Sequence, residues 1–119
     1  MKQISLTLFT FFILTTAHAQ TSIKLDEVNL HIGDSVSVCG KVADLRYFEN
    51  SKNQPTFLNI GATYPNQQLT LVIWGDARKL FTGKVEDLLN KDICITGRLI
   101  LYKNKPEIII EKPEQISIQ

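Results

Sequence analysis

Two stretches of the chain, Val36-Ser-Val-Cys-Gly-Lys-Val42 and Ile93-Cys-Ile-Thr-Gly-Arg-Leu99, match position by position when they are aligned on Gly40 and Gly97. Each reads apolar, small, apolar, small, Gly, basic, apolar. This alternation predicts a strand that buries one face. A glycine inside a strand marks a bulge or bend, which a small curved sheet requires. The two stretches are therefore predicted to be equivalent, bent strands.

Three further runs of β-type sequence surround this pair. The predicted strands cover residues 34–45, 56–60, 69–74, 91–102 and 106–111. Between the third and fourth strands, apolar residues recur at three- and four-residue intervals over 77–89, which predicts a short helix that Gly83 interrupts. Five strands with a helix after the third are the layout of an OB-fold. The predicted fold class is therefore all-β, a five-stranded OB-fold barrel, which is used mostly for binding.

The N-terminal segment has the features of a secretory signal. Lys2 precedes an apolar run over 4–16, and Ala17-His18-Ala19 supplies the small-x-small pattern that signal peptidase cleaves. An uncleaved membrane anchor is the alternative, but the run is shorter than the about 20 residues that span a bilayer. We expect residues 1–19 to be a signal peptide and the mature protein to be periplasmic or secreted, without membrane insertion.

The mature chain, residues 20–119, is long enough for one domain with a modest core. Loss of Lys2 with the leader leaves twelve basic residues against twelve acidic ones. A neutral domain lacks the broad positive field of a strong, non-specific nucleic-acid binder. A local basic patch is still compatible with this charge balance.

The two cysteines, Cys39 and Cys94, lie one in each of the matching strands. An even number of cysteines in an exported chain favours a disulfide. Strand periodicity places both on the face opposite Val38 and Ile95, and the first and fourth strands are neighbours in an OB-fold. We therefore expect a Cys39–Cys94 disulfide, with two unpaired thiols as the alternative. Two cysteines without nearby histidines make half a metal site at most, so no metal is expected.

Residue groupings typical of enzymes are absent from the sequence. The mature chain has a single histidine, His31, and no set of nucleophile, base and orienting group. The carboxylates Asp44, Asp76 and Asp92 lie in separate predicted loops or strand ends, unlike the clustered carboxylates of exported OB-fold nucleases. We expect a protein that is not an enzyme, with no catalytic residue and no cofactor.

Aromatic and basic residues fall in both loops that wall the binding face of an OB-fold. Such faces hold single-stranded nucleic acid by stacking bases on aromatic rings beside basic side chains. Phe57 and Trp74 are predicted to face outward from the second and third strands, with core positions as the alternative. The predicted nucleic-acid-binding residues are Arg46, Tyr47, Phe48, Lys52, Phe57, Trp74, Tyr102, Lys103 and Lys105.

The chain resembles OB-fold nucleic-acid-binding domains, those of the tRNA-anticodon type in particular. The resemblance is carried by Val38-Cys-Gly-Lys-Val42, Phe57-Leu-Asn-Ile-Gly61, Leu71-Val-Ile-Trp74, Cys94-Ile-Thr-Gly97 and Pro106-Glu-Ile-Ile109. It also looks like small exported bacterial proteins with Tyr64-Pro-Asn-Gln67 before the third strand. The resemblance implies that Phe57 stacks on a base. We expect weak, non-catalytic binding of single-stranded nucleic acid; a protein- or oligosaccharide-binding module using the same face is the alternative.

Overall fold

The computed structural model describes residues 2–13 and 20–119. The predicted cleavage site, Ala17-His18-Ala19, lies outside these residues. The strands, helices and hydrophobic core of the described residues all lie within 20–119. Among the described residues, no helix has both the length and the apolar character needed to cross a bilayer.

The described chain is mostly β, with a few short helices. The strands are β1 (Thr21–Ile23), β2 (Ser35–Tyr47), β3 (Thr56–Ile60), β4 (Leu69–Ile73), β5 (Asp92–Arg98), β6 (Ile100–Tyr102), β7 (Lys105–Ile109) and β8 (Ile116–Ile118). The helices are α1 (Gly75–Arg78) and the 3₁₀ turns Leu25–Leu30, Val85–Leu88 and Pro113–Gln115.

The strands form one sheet in the order β6-β7-β4-β3-β2-β5-β8, with β1 alongside β2. The β4–β7 and β1–β2 pairs are parallel and the other pairs are antiparallel. The predicted first, second, third and fifth strands correspond to β2, β3, β4 and β7. The order of strands in the sheet places β7 beside β4, and this brings the β6–β7 hairpin next to the central strands.

The predicted count of five strands is not confirmed, because the sheet contains eight. The predicted fourth strand divides at Leu99 into β5 and β6. Leu99 is fully buried, and its backbone bonds to the turn at residues 33–34 instead of to a strand: Gly33 N donates to Leu99 O at 2.7 Å, and Leu99 N donates to Asp34 O at 3.0 Å. The strands β1 and β8 have three residues each, too few for a periodic pattern. The hydrogen-bonded order has two ends, so a closed five-stranded barrel is not confirmed.

The matching glycines of β2 and β5 each lie against an isoleucine of another strand. A Cβ atom at Gly40 would approach Cγ2 of Ile60 to 2.6 Å, and one at Gly97 would approach Cγ2 of Ile108 to 2.5 Å. Both distances are too short for a real contact. The glycines therefore let isoleucine side chains cross over the strands, in a core where Ile60 and Ile108 are fully buried.

The helical run predicted after the third strand forms two short pieces, α1 and the 3₁₀ turn Val85–Leu88. Gly83 lies between them with a φ of +89°, a conformation that favours glycine. Phe81 and Leu88 pack against the core but are only partly buried. This region therefore covers the core more loosely than the predicted helix would.

The predicted disulfide is confirmed. Cys39 and Cys94 are directly paired in the β2–β5 register, with 4.0 Å between their Cα atoms and a bond between their sulfurs. Their neighbours Val38 and Ile95 are fully buried, as the strand alternation predicted. The bond therefore lies on the outer side of the sheet.

Candidate functional site

A cleft of about 410 Å³ lies over β3 and β4, between the chain after β2 and the β6–β7 hairpin. Its lining combines aromatic rings, three basic side chains and a polar centre. The lining residues are Arg46, Phe48, Phe57, Asn59, Tyr64, Gln67, Thr70, Tyr102, Lys103, Lys105 and Glu107. This mixture suits a ligand that presents flat rings and negative charge together.

A row of four polar residues crosses the sheet at this cleft. The strand registers pair Asp44 with Asn59, Asn59 with Thr70, and Thr70 with Glu107. Asp44 joins the row because β2 has a bulge. Val42 pairs with Ile60, and the next pair is Asp44 with Asn59, so Ala43 is left without a partner in the β2–β3 register. An extra residue in a strand shifts the alternation by one, so the side chains after it point to the opposite face of the sheet from the one they would otherwise face. The bulge therefore turns Asp44 toward Asn59.

Hydrogen bonds run through this row in one direction. A carboxylate only accepts, so Asn59 turns its Nδ2 to Asp44 and its Oδ1 to Thr70. The Thr70 hydroxyl donates its single proton to Asn59 Oδ1 at 3.1 Å, and its oxygen accepts from Gln67 Nε2 at 3.1 Å. Asn59 is 3% exposed and Thr70 is 7% exposed, so these bonds are shielded from water. The Asp44 carboxylate thus orients every amide and hydroxyl after it.

Asp44 also holds one wall of the cleft. Its second oxygen accepts a hydrogen bond from the backbone N–H of Tyr64 at 2.8 Å. Lys105 Nζ donates to the carbonyl of Pro65 at 3.0 Å, which ties the same loop to the β6–β7 hairpin. The Arg46 guanidinium and Lys105 Nζ lie 5.8 and 5.5 Å from the centre of the Tyr64 ring. Tyr64 is therefore an exposed ring with two cations near it.

The other aromatic residues of the cleft form two smaller contacts. Phe48 and Phe57 meet edge to face, with 5.5 Å between ring centres. Lys103 Nζ lies 5.4 Å from the ring centre of the exposed Tyr102. Phe57 is partly buried on β3, two residues before Asn59, so both side chains share one face of the strand. Rings and cations consequently surround the polar row on several sides.

Glu107 is the acidic residue at the β7 end of the row. It is partly buried, and burial raises the pKa of its carboxyl. The basic residues that line the same cleft do not offset this effect of burial. The cleft therefore has a cationic rim and a carboxyl group in its wall.

Six of the nine predicted site residues line this cleft: Arg46, Phe48, Phe57, Tyr102, Lys103 and Lys105. Trp74 lies instead beside a second hollow, next to Gln54, Asp76 and Lys79. It follows the end of β4 and precedes α1, so strand alternation does not determine its direction. Lys52 is exposed in the loop after β2 and lines neither hollow.

Tyr47 is also outside the cleft, because it follows Arg46 on β2 and its ring therefore points to the opposite face of the strand. An arginine covers the ring there. The Arg78 guanidinium lies 3.7 Å from the Tyr47 ring centre and donates to Thr56 Oγ1 at 2.8 Å. Arg78 also binds Glu86, and this hydrogen bond lowers the pKa of the Glu86 carboxyl. Tyr47 thus fastens α1 to the sheet.

Five cleft residues were missed by the sequence analysis: Asn59, Tyr64, Gln67, Thr70 and Glu107. A signal for Tyr64 and Gln67 was present, since both belong to the Tyr64-Pro-Asn-Gln67 segment. Strand alternation could have placed Asn59 beside Phe57. Nothing in the local sequence shows that Glu107 lies opposite Thr70, because β4 and β7 are distant along the chain.

Comparisons with known proteins identify the fold. No protein-family model matches the sequence, and no curated protein matches it. Among solved structures, the chain is similar to one of yeast Stn1 and Ten1, at a TM-score of 0.60 and 12% identity over 85% of this chain and 63% of that one.

Two similar structures are aminoacyl-tRNA synthetases. A putative aspartyl-tRNA synthetase from Leishmania major Friedlin matches at a TM-score of 0.52 and 12% identity, over 92% of this chain and 22% of that one. Asparaginyl-tRNA synthetase from Entamoeba histolytica matches at a TM-score of 0.51 and 19% identity, over 84% of this chain and 24% of that one. This chain thus spans less than a quarter of either enzyme. At such identities the likeness concerns the fold alone, and it supports an OB-fold.

Proposed function

We propose that this protein binds single-stranded nucleic acid in the cleft over β3 and β4, without catalysis. One observation carries the proposal: four aromatic side chains and three basic ones line a single cleft. Phe57, Tyr64 and Tyr102 provide surfaces on which bases stack, and each stacked base contributes about 1–3 kcal/mol. Arg46, Lys103 and Lys105 provide charges for phosphates.

The similar structures support the nucleic-acid class of ligand. Two of them are aminoacyl-tRNA synthetases, whose names specify an RNA substrate. The basic residues come from two separate elements, β2 and the β6–β7 hairpin, so they lie on both sides of the cleft. A strand of alternating bases and phosphates fits between them.

The hydrogen bonds of the cleft support binding rather than catalysis. Among the described residues that line it, the only aliphatic hydroxyl belongs to Thr70. Its proton goes to the amide oxygen of Asn59, which is not a base. The oxygen accepts from Gln67, so the hydroxyl is held in place from both sides.

Export is part of the proposal. The signal-like residues 1–19 support it, and so does the exposed Cys39–Cys94 bond, since such bonds persist in oxidising compartments. We propose a periplasmic or secreted location. The neutral charge of residues 20–119 favours the second candidate, a protein- or oligosaccharide-binding module that uses the same cleft.

A salt titration separates the two candidates. Residues 20–119 are titrated against a fluorescent single-stranded oligonucleotide at several salt concentrations, followed by anisotropy. Nucleic-acid binding predicts saturation and an affinity that falls as salt rises. Absence of binding at low salt would contradict the proposal. A protein that then binds a neutral oligosaccharide, independently of salt, would establish the second candidate.

A further inference from the structure

The polar row across the sheet ends in Glu107, whose carboxylate forms no hydrogen bond or ion pair with the other residues that the structure describes. Thr70, the residue paired with Glu107, gives its only proton to Asn59 on the other side. Ile100, which pairs with Glu107 from β6, is apolar. The hydrogen-bond direction set by Asp44 thus leaves the Glu107 carboxylate without a donor from either neighbouring strand.

None of the three cations of the cleft forms an ion pair with this carboxylate within the described part of the chain. The ion pairs of the described residues join His31 to Asp34, Arg78 to Glu86 and Lys79 to Asp76. Lys105, the basic residue nearest to Glu107 along the chain, donates a hydrogen bond from its Nζ to the Pro65 carbonyl. Burial raises the pKa of the Glu107 carboxyl.

The cleft thus separates two kinds of electrostatic environment. Cations and aromatic rings stand at the rim, while a hydrogen-bond acceptor stands unpaired in the wall. A nucleotide has the complementary division, because its phosphate is an anion and its base edge can carry N–H donors. An unpaired, partly buried acceptor favours a partner that donates and penalises one that accepts.

We propose that Glu107 determines which base the cleft accepts, and that it selects guanine. The inference rests on the proposed function. Guanine presents two adjacent donors, N1–H and the N2 amino group, which match the two oxygens of one carboxylate. Thymine and uracil present one N–H between two carbonyl oxygens, and those oxygens would face the carboxylate. Adenine and cytosine offer a single amino group beside a ring nitrogen that accepts.

The test uses one base in an otherwise constant strand. Thymidine oligomers about eight nucleotides long, a length within the range that one OB-fold covers, carry guanine, hypoxanthine or thymine at a central position. Residues 20–119 should bind the guanine oligomer about tenfold more tightly than the thymine one, as bidentate base contacts do. Hypoxanthine lacks the N2 amino group and should fall between them.

Two variants assign the preference to Glu107. Glu107→Gln keeps the size of the side chain and removes its charge, so the guanine and thymine oligomers should bind within about twofold of each other. Glu114→Gln makes the same change of charge at an exposed residue outside the cleft. It should leave the ratio of the two affinities as it is in the wild type.

The outcomes distinguish this inference from the proposed function. Equal binding of all three oligomers by the wild type would overturn the guanine preference and leave nucleic-acid binding standing. A preference that survives Glu107→Gln would overturn the role of Glu107. No binding of any oligomer would remove the proposed function and this inference with it.

Discussion

The Asn59 side chain donates a hydrogen bond to Asp44 across β2 and β3, and this contact orients the polar row of the cleft. Because Asp44 accepts only, Asn59 has one possible orientation, and Thr70 and Gln67 follow from it. The same carboxylate binds the backbone of Tyr64. One acidic side chain therefore organises both the wall and the centre of the cleft.

Replacement of Asp44 by Asn should damage both stability and binding. The new amide places N–H groups against those of Asn59 or Tyr64, and an unpaired buried polar group costs about 1–3 kcal/mol. Urea unfolding of residues 20–119 measures this loss. Oligonucleotide affinity should fall as well, because the loop that carries Tyr64 loses its anchor. Asp87→Asn, at an exposed position outside the cleft, is the matched control and should change neither quantity.

Phe57 and Trp74 should differ in their contribution to binding. Phe57→Leu removes a ring from the cleft and should weaken oligonucleotide binding by about 1–3 kcal/mol, the contribution of one stacked base. Trp74→Leu should leave the affinity unchanged, because Trp74 lies beside a different hollow. Anisotropy titrations of both variants measure their oligonucleotide affinities. Weakening by Trp74→Leu alone would mean that the ligand follows the second hollow.

Lys103 and Lys105 should determine part of the salt dependence. Each phosphate that a protein neutralises in a single strand releases about 0.7 counterion. Replacing both lysines by Ala should therefore reduce the slope of log affinity against log salt by about 1.4. Lys52 and Lys79 line no part of this cleft, so the same double replacement there is the control. An equal change of slope in both pairs would indicate a diffuse charge effect instead of phosphate contacts.

Glu107 should make stability depend on pH in an unusual direction. Its pKa is raised in the folded chain above the ordinary value of 4.5, so folding favours the protonated carboxyl. This stability is present below the unfolded-state pKa and is lost as pH rises through the folded-state pKa. Glu107→Gln should therefore raise the free energy of unfolding at about pH 7 and do so less at about pH 4. Urea unfolding at both values checks this; a benefit that grows toward acid pH would contradict the assignment.

The Cys39–Cys94 bond should stabilise the domain mainly by restricting the unfolded chain. The two residues are 55 positions apart, and closing such a loop contributes about 4 kcal/mol in the chain-entropy model, often less in practice. The double variant Cys39→Ser, Cys94→Ser should unfold at lower urea. Mass spectrometry of the unreduced protein provides the direct check, since two free thiols would contradict the bond.

The parts of the fold that short-range patterns specify could be predicted from the sequence. The alternation in β2 and β5 identified their buried valines and isoleucines and the pairing of the two cysteines. Six of the aromatic and basic residues that line the cleft could also be predicted, because the OB-fold layout places their segments at one face. Short strands such as β1 and β8 could not be predicted, since three residues carry no measurable period.

Which side chains meet was decided by the tertiary structure. Trp74 and Tyr47 are residue types that suit a binding site, yet neither lies in the cleft. Trp74 follows the end of β4, and Tyr47 points to the face of β2 opposite Arg46, where Arg78 lies over its ring. Asp44 reaches Asn59 through a bulge, and Glu107 reaches Thr70 through a parallel pair of distant strands. A sequence determines the periodicity of each strand, but the register between strands depends on packing along the whole sheet. The polar row exists only in that register.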